Sequence, residues 1–485
     1  MEKILRPPSG DSGRSGWRAG RRLSAVFFLM LLLSGCWAVG PDYRPPETAA
    51  PKVWQSPLAG GLAAGENTPE DLARWWRRLD DPQLAVLEET ALKNNLTLKI
   101  ARARIREARA RLGYHRAGFF PWLDGRGSVN EFRYSDNSLP DGRGTLYAAG
   151  FDAGWEIDVF GGTRRAVEAA RAEIESEQEN LHGVQVTLQA EVALNYIELR
   201  TYQARLEVTR NNIEVQQQTF DLNRSLAAAG LISNLDLAQS EYNLEHSRSL
   251  LPRLESGLTA ARNRLAVLLG ATPGKLPVGL KKVSGELFAL PSELVVGIPA
   301  DTLRRRPDVR AAERCLAAAT ARIGEATAEL YPKFQLLGSF GLESLSSGNF
   351  WQWAGRAWNF APGVRWNLFD AGAIRSNIEI RNAQQEQLQH AYEETILQAL
   401  EEVENALTTY AREQTRRDSL ARAVEAARRA DRLARDQYQA GLVDFNTVLI
   451  GQLSLLNLED ELAQSNGTVA GNLVRLYKAL GGGWK

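Results

Sequence analysis

The chain has 485 residues, 44% hydrophobic and 24% charged, and its 58 basic and 58 acidic side chains cancel. Such a composition supports a sizeable core but offers no basic stripe to neutralise phosphates, which argues against nucleic acid as a partner. The two cysteines, Cys36 and Cys315, sit in an export signal and a predicted helix, so no disulfide is expected to staple the fold.

Arg18, Arg21 and Arg22 precede an apolar run over residues 23–33 that ends in Ser34-Gly35-Cys36. A basic start, a short apolar stretch and small residues make a secretory signal, and about 11 residues is too short to span a bilayer. Leu33-Ser34-Gly35-Cys36 resembles a bacterial lipobox. Residues 1–35 then form the signal peptide, and Cys36 becomes the first mature residue, carrying N-acyl and S-diacylglycerol groups. The alternative is an ordinary signal in which Cys36 is incidental. The residues after Arg21-Arg22 do not support twin-arginine export. Trp37 stands where an Asp would mark retention in the inner membrane, so the outer membrane is the expected destination. A lipid-anchored segment over residues 36–80 follows. Beyond Cys36 there is no run of about 18 apolar residues, so whatever crosses a membrane is not a hydrophobic helix.

From there the chain repeats itself. Phe120-Pro121 returns as Tyr331-Pro332, Trp155 as Trp366, Gly230-Leu231 as Gly441-Leu442 and Leu269-Gly270 as Leu480-Gly481, each 211 residues later (121 to 332). Leu92 and Leu98 match Leu303 and Val309 at the same offset. One offset across scattered landmarks marks a tandem duplication. It predicts a first repeat over residues 81–270, a linker over 271–301, a second repeat over 302–481 and a tail over 482–485.

Each repeat reads helix, two strands, helix, helix. In the first, a helix is predicted over residues 81–118, ended by Pro121. Two strands follow, and the second alternates: Tyr147, Phe151, Trp155 and Ile157 on one face, Gly150, Asp152, Glu156 and Asp158 on the other. Its counterpart sets Trp358, Phe360, Val364, Trp366 and Leu368 against Asn359, Arg365 and Asn367. Residues 333–343 also alternate; residues 122–134 do so more weakly. Tips at residues 135–143 and 346–349 close the pairs as hairpins.

Long helices come next, over residues 162–229 and 372–440, each about 100 Å at 1.5 Å per residue. Val192, Leu199, Leu206, Ile213 and Phe220 repeat every seven in the first. Beyond the glycine turns, Leu237, Leu244, Leu251, Leu258 and Leu265 do the same, as do Val448, Leu455, Leu462, Val469 and Leu476. Such heptads make narrow seams for neighbouring helices. Pro252 is expected to kink its helix.

Four strands cannot close a barrel, and a sheet in hydrocarbon cannot leave backbone groups unpaired at its edges. Two copies give eight strands and a filled interior; three give twelve and a lumen. The pattern points to a mixed α/β membrane protein, a trimeric twelve-stranded transmembrane barrel with four strands per chain, continued by its helices on the periplasmic side. The competing reading is a soluble protein whose strands pack on its own helices.

The stretch Ile298-Pro299-Ala300-Asp301-Thr302-Leu303, then Arg305-Arg306-Pro307-Asp308-Val309-Arg310-Ala311-Ala312-Glu313, resembles the signature of NodT-type outer-membrane lipoproteins. These belong to the TolC superfamily of outer-membrane factors, in its OprM-like branch. Gly40-Pro41-Asp42-Tyr43, Leu265-Ala266-Val267-Leu268-Leu269-Gly270 and Tyr438-Gln439-Ala440-Gly441-Leu442 fit the same pattern. The resemblance implies a homotrimer, its helices forming a periplasmic α-helical barrel, that serves as the exit duct of a tripartite efflux system. Its partners would be a periplasmic adaptor and an inner-membrane pump of the resistance-nodulation-division class. It places Gly230, Leu231, Gly441 and Leu442 at the periplasmic tips that meet the adaptor. It also makes Asp236, six residues past Gly230, the candidate gate; the second repeat departs from the pattern, with Thr447 six past Gly441 and Ile450 three further on, where relatives often carry aspartate. Asp236 has a plainer reading as a first-turn helix cap.

No chemistry of another kind stands out. His115, His182, His246 and His390 are scattered without metal-ligand spacing, and Gly481-Gly482-Gly483 is not a phosphate loop. An enzyme is not expected, nor a cofactor or metal beyond the lipid on Cys36. The alternative function is a periplasmic coiled-coil adaptor or structural lipoprotein.

Overall fold

The structure, a computed structural model, describes residues 38–47, 50–65, 68–135, 137, 142–276, 279–280 and 294–484. Cys36 and the predicted signal peptide lie outside the described residues.

The N-terminal segment carries β1 (Leu62–Ala64), α1 (Pro69–Ala73) and a 3-10 turn (Trp75–Leu79). The first repeat holds α2 (Pro82–Asn94), α3 (Leu96–Ala117), β2 (Trp122–Arg133), β3 (Arg143–Ile157), α4 (Gly162–Ala228) and α5 (Asn234–Leu268). After β4 (Leu294–Val296), the second repeat holds α6 (Pro299–Arg305), α7 (Pro307–Ala328), β5 (Lys333–Ser344), β6 (Arg356–Arg365), α8 (Ala373–Gln439) and α9 (Phe445–Ala479). The helices α7, α8 and α9 and strand β5 begin and end 211 residues after α3, α4, α5 and β2 (162 to 373 and 228 to 439 for the longest).

Three expectations change. The helix foreseen over residues 81–118 breaks at Asn95, whose Oδ1 accepts the Leu98 amide at 3.0 Å and starts a new helix. The alternation through Leu368 outruns the strand, which stops at Arg365. There the Trp366 indole donates to Leu330 O (3.0 Å) and Asp370 turns to cap α8, accepting the Gly372 and Ile374 amides at 2.9 and 2.8 Å. The second hairpin tip is wider than foreseen, with 3-10 turns at Ser347–Asn349 and Trp353–Gly355. Around Pro252, α5 keeps its helical assignment from end to end.

The chain divides into two compact units. One comprises the described residues among 38–45, 109–173 and 316–388 and holds a four-stranded antiparallel sheet in the order β2-β3-β5-β6. The other comprises residues 46–108, 174–315 and 389–485 and is a helical bundle with the main core. In it Trp75 stacks on Tyr477 with ring centroids 5.4 Å apart, and β1 pairs in parallel with β4. The heptad positions Val192, Leu199, Leu206, Leu244, Leu265, Val448, Val469 and Leu476 are buried there, whereas Ile213 and Phe220 are only half-buried. The seams are therefore tight at some heptad positions and looser at others.

Candidate functional site

The sheet is the first functional element, because its two faces differ. Directly paired residues of neighbouring antiparallel strands share a face. The register aligns Gly125, Phe151, Phe340 and Trp358 across all four strands, and Leu123, Ala153, Gly338 and Phe360 in the next row on that face. The following row reads Trp155, Leu336 and Pro362. The opposite face carries Arg126, Asp152, Glu156, Gln335, Ser339 and Asn359, with an Arg126–Asp152 ion pair at 3.6 Å.

What decides its environment is exposure. Phe151, Phe340, Trp358, Phe360 and Val364 are all open in the single chain, Trp358 at 76%. A water-facing sheet would turn such a stripe onto a core, at roughly 25 cal/mol for each Å² of apolar surface removed from water. The strands have 10 to 15 residues, enough for a tilted membrane crossing. Both edge strands, β2 and β6, have one side unpaired.

The helix tips are the second element. Gly230 and Gly441 end α4 and α8 with φ of 73° and 70°, a conformation in which only glycine is unstrained. Each makes the same turn. Leu231 N reaches Leu226 O (2.9 Å) and Gly230 N reaches Ala227 O (3.0 Å); Leu442 N reaches Gln437 O (2.8 Å) and Gly441 N reaches Tyr438 O (2.9 Å). The turn leaves Leu231 and Leu442 exposed, together with Leu235 and Ile450. The tip residues singled out in the sequence thus present apolar side chains to the outside.

Asp236 is engaged locally. Its carboxylate accepts the Ser233 amide at 3.2 Å and the Ser233 hydroxyl at 2.8 Å, while Ser233 Oγ accepts the Asp236 amide, a reciprocal cap on α5. The plainer reading of Asp236 is therefore realised in the structure. Sequence reasoning missed its counterpart, Asp444. Spacing of six residues past the glycine selected Thr447, but the acid of the second tip stands three past Gly441. Its Oδ1 accepts the Thr447 amide (3.0 Å) and hydroxyl (2.8 Å). Those bonds, the hydroxyl's first, hold its carboxyl below the usual value. The signal was available, since Asp-x-x-Thr ahead of an apolar run marks a helix start.

In the bundle, one buried carboxyl has both of its oxygens without such support. Glu88, on α2, is fully buried and neither carboxylate oxygen has a hydrogen-bond partner, so burial drives its pKa well above the ordinary value. Among the described residues no group of three or more His, Cys, Asp or Glu is placed to hold a metal. No described helix is long and apolar enough to cross a membrane.

The family model for outer membrane efflux proteins matches residues 87–271 and again 298–482, two segments 211 residues apart (87 to 298). The chain belongs to the outer membrane efflux protein family. The solvent efflux pump outer membrane protein SrpC of Pseudomonas putida is 31% identical over 468 residues, covering 95% of this chain and 98% of its own. Nodulation protein T of Rhizobium leguminosarum bv. trifolii is 30% identical over 94% of this chain and 96% of its own. Among solved structures, the outer-membrane channel OprN superposes with a TM-score of 0.86 at 35% identity, over 92% of this chain and 99% of that one. The open-state MtrE channel of Neisseria gonorrhoeae gives 0.81 at 26% identity, over 92% and 99%. This efflux protein is therefore an outer-membrane protein.

Proposed function

We propose that three copies of this chain pool their sheets into a closed twelve-stranded barrel, and that the helices extend it into the periplasm as a duct. The duct passively exports small molecules delivered by an inner-membrane pump of the resistance-nodulation-division class through a periplasmic adaptor. The observation that carries this reading is the four-stranded sheet, apolar on one exposed face and polar on the other, with β2 and β6 open at its edges. Closing those edges against neighbouring copies satisfies the backbone, puts the aromatic face toward lipid and leaves a polar lumen. A coiled-coil adaptor, the competing reading, has no use for such a face.

Cys36 carries the lipid in this reading, Leu231 and Leu442 with their glycines meet the adaptor, and Asp236 with Thr447 and Ile450 narrows the mouth. The test is conductance. Detergent-extracted protein is expected to run as a heat-modifiable trimer and to conduct ions across a planar bilayer. A folded monomer that never conducts would count against the barrel.

A further inference from the structure

The stretch following Cys36 is held more firmly than a flexible tether needs. Val39 N donates to Phe160 O at 3.0 Å. Arg165, in the first turn of α4, has a side chain only 4% exposed and grips the same stretch. Its Nε donates to Val39 O (3.0 Å) and its Nη2 to Ala38 O (3.4 Å), Gly40 O (3.2 Å) and Asp42 Oδ1 (2.8 Å); Nη1 bonds Glu168 at 2.8 Å. The fork thus satisfies three backbone carbonyls outside regular structure while its own charge is paired.

Glycines make the fit possible. Gly40 (φ +88°) lies directly on Gly324 of α7, and a Cβ on Gly324 would sit 2.8 Å from Val39 O, Arg165 Cγ and Arg165 Nε. A Cβ on Gly161 (φ +84°) would fall 2.6 Å from the Ala38 Cα. The seat draws on the turn after β3, on α4 and on α7, so it joins parts of both repeats. Beside it Phe160 stacks on Tyr331, centroids 4.6 Å apart, and these two residues flank the ends of β3 and β5.

We propose that residues 38–42 and this seat form a latch fixing where the lipid on Cys36 enters the bilayer, beside the Phe160–Tyr331 pair where β3 runs into α4. This rests on the reading of Cys36 as the lipid-bearing residue. Two peptide units separate Cys36 from Ala38, so the attachment point lies within about 7 Å of the seat. Arg165 is a positioning residue: it holds carbonyls and a carboxylate, not the lipid. A loose segment would let the acyl chains roam the bilayer, whereas the latch commits them to one rim of the sheet.

The test uses the full chain in outer membranes, with a palmitate analogue carrying a diazirine near its carboxyl end. Photolysis is expected to join the probe to the peptides bearing Phe160 or Tyr331. Arg165→Leu and Gly324→Ala are each expected to cut that crosslink about fivefold and to speed amide exchange in residues 38–45 about tenfold, while exchange in the sheet stays put. Gly324→Ala is informative because it raises helix propensity, so release of the segment there reports crowding and not a weakened helix. Crosslinks spread over the chain, or crosslinks and exchange unmoved by both substitutions, would overturn the latch, as would faster exchange throughout the sheet. A wild-type chain that takes up no probe overturns the lipid reading instead, and amide exchange in residues 38–45 then still judges the seat.

Discussion

Where α2 gives way to α3, the Asn95 amide donates to Leu268 O at the end of α5 (2.9 Å); 211 residues later Arg306 donates to Ala479 O at the end of α9 (2.8 Å). The two repeats make the same contact with different chemistry. Asn95 is neutral and also starts α3. Arg306 adds a fork to Asp308 (2.7 Å) and a bond to Glu402 (2.7 Å), and places a cation where helix carbonyls concentrate negative charge. The tips diverge likewise: Ser233 with Asp236 caps α5, whereas Asp444 with Thr447 caps α9. Duplication preserved the path and the boundaries of the long helices, and left each junction free to change its means.

The largest effect is expected at the charged junction. Arg306→Ala should cost about 3 kcal/mol, the low end for a broken buried ion pair because both carboxylates remain partly wet. Asn95→Ala should cost about 1–2 kcal/mol, the loss of a cap and one buried hydrogen bond. Denaturant midpoints of the two variants read the difference, and equal losses would break the contrast between neutral and charged joints.

Glu88 sharpens it from another side, since its counterpart is Pro299, the first residue of α6. A carboxyl whose pKa is raised in the fold above its ordinary 4.5 binds its proton more tightly folded than unfolded. Its contribution is most favourable below the unfolded value and is lost as pH rises toward the folded one. Glu88→Leu is therefore expected to stabilise the chain by about 2 kcal/mol at pH 7.5 and by less at pH 4. A gain that does not vary with pH would mean that Glu88 is ionised in the fold.

At the tips, Ser233→Ala should cost about 1 kcal/mol at neutral pH, and Asp444→Ala should likewise fray the first turn of α9. The second loss should fade on acidification. The Asp444 carboxyl is depressed in the fold, so its stabilisation is present above the unfolded value of 3.8 and disappears as pH falls through the folded one. Amide exchange in the first turns of α5 and α9 across pH 3 to 7 would show it. The smallest structural effect is expected from Asp236→Asn. Trimer yield should hold while cation selectivity and block by multivalent cations weaken, if Asp236 lines the mouth. Unchanged selectivity with a frayed α5 would leave Asp236 a cap alone.

Much of this architecture could be read from residue patterns, because repetition and periodicity are properties of the chain itself. The shared offset, the alternating strands and the heptads of α5 and α9 depend on local spacing. The break at Asn95 was hidden, since an asparagine inside an apolar helical pattern is only a mild irregularity until its amide finds Leu268 O from 173 residues away. The Arg165 seat was invisible for the same reason: its partners are backbone carbonyls 125 to 127 residues distant, and carbonyls leave no mark in sequence. Asp444 was missed through a spacing rule centred on the glycine instead of on the helix start.

The open edges of the sheet have a genetic consequence. β2 belongs to the first repeat and β6 to the second, so in the proposed trimer a neighbour would join head to tail, and each copy would be needed on both sides. A chain able to offer one edge but not the other would enter a ring and poison it. With the proposed three copies per ring and equal expression of sound and damaged chains, only about one assembly in eight would be wholly sound. Edge-strand lesions should therefore be dominant, while lesions that unfold the chain before it reaches the membrane should be recessive.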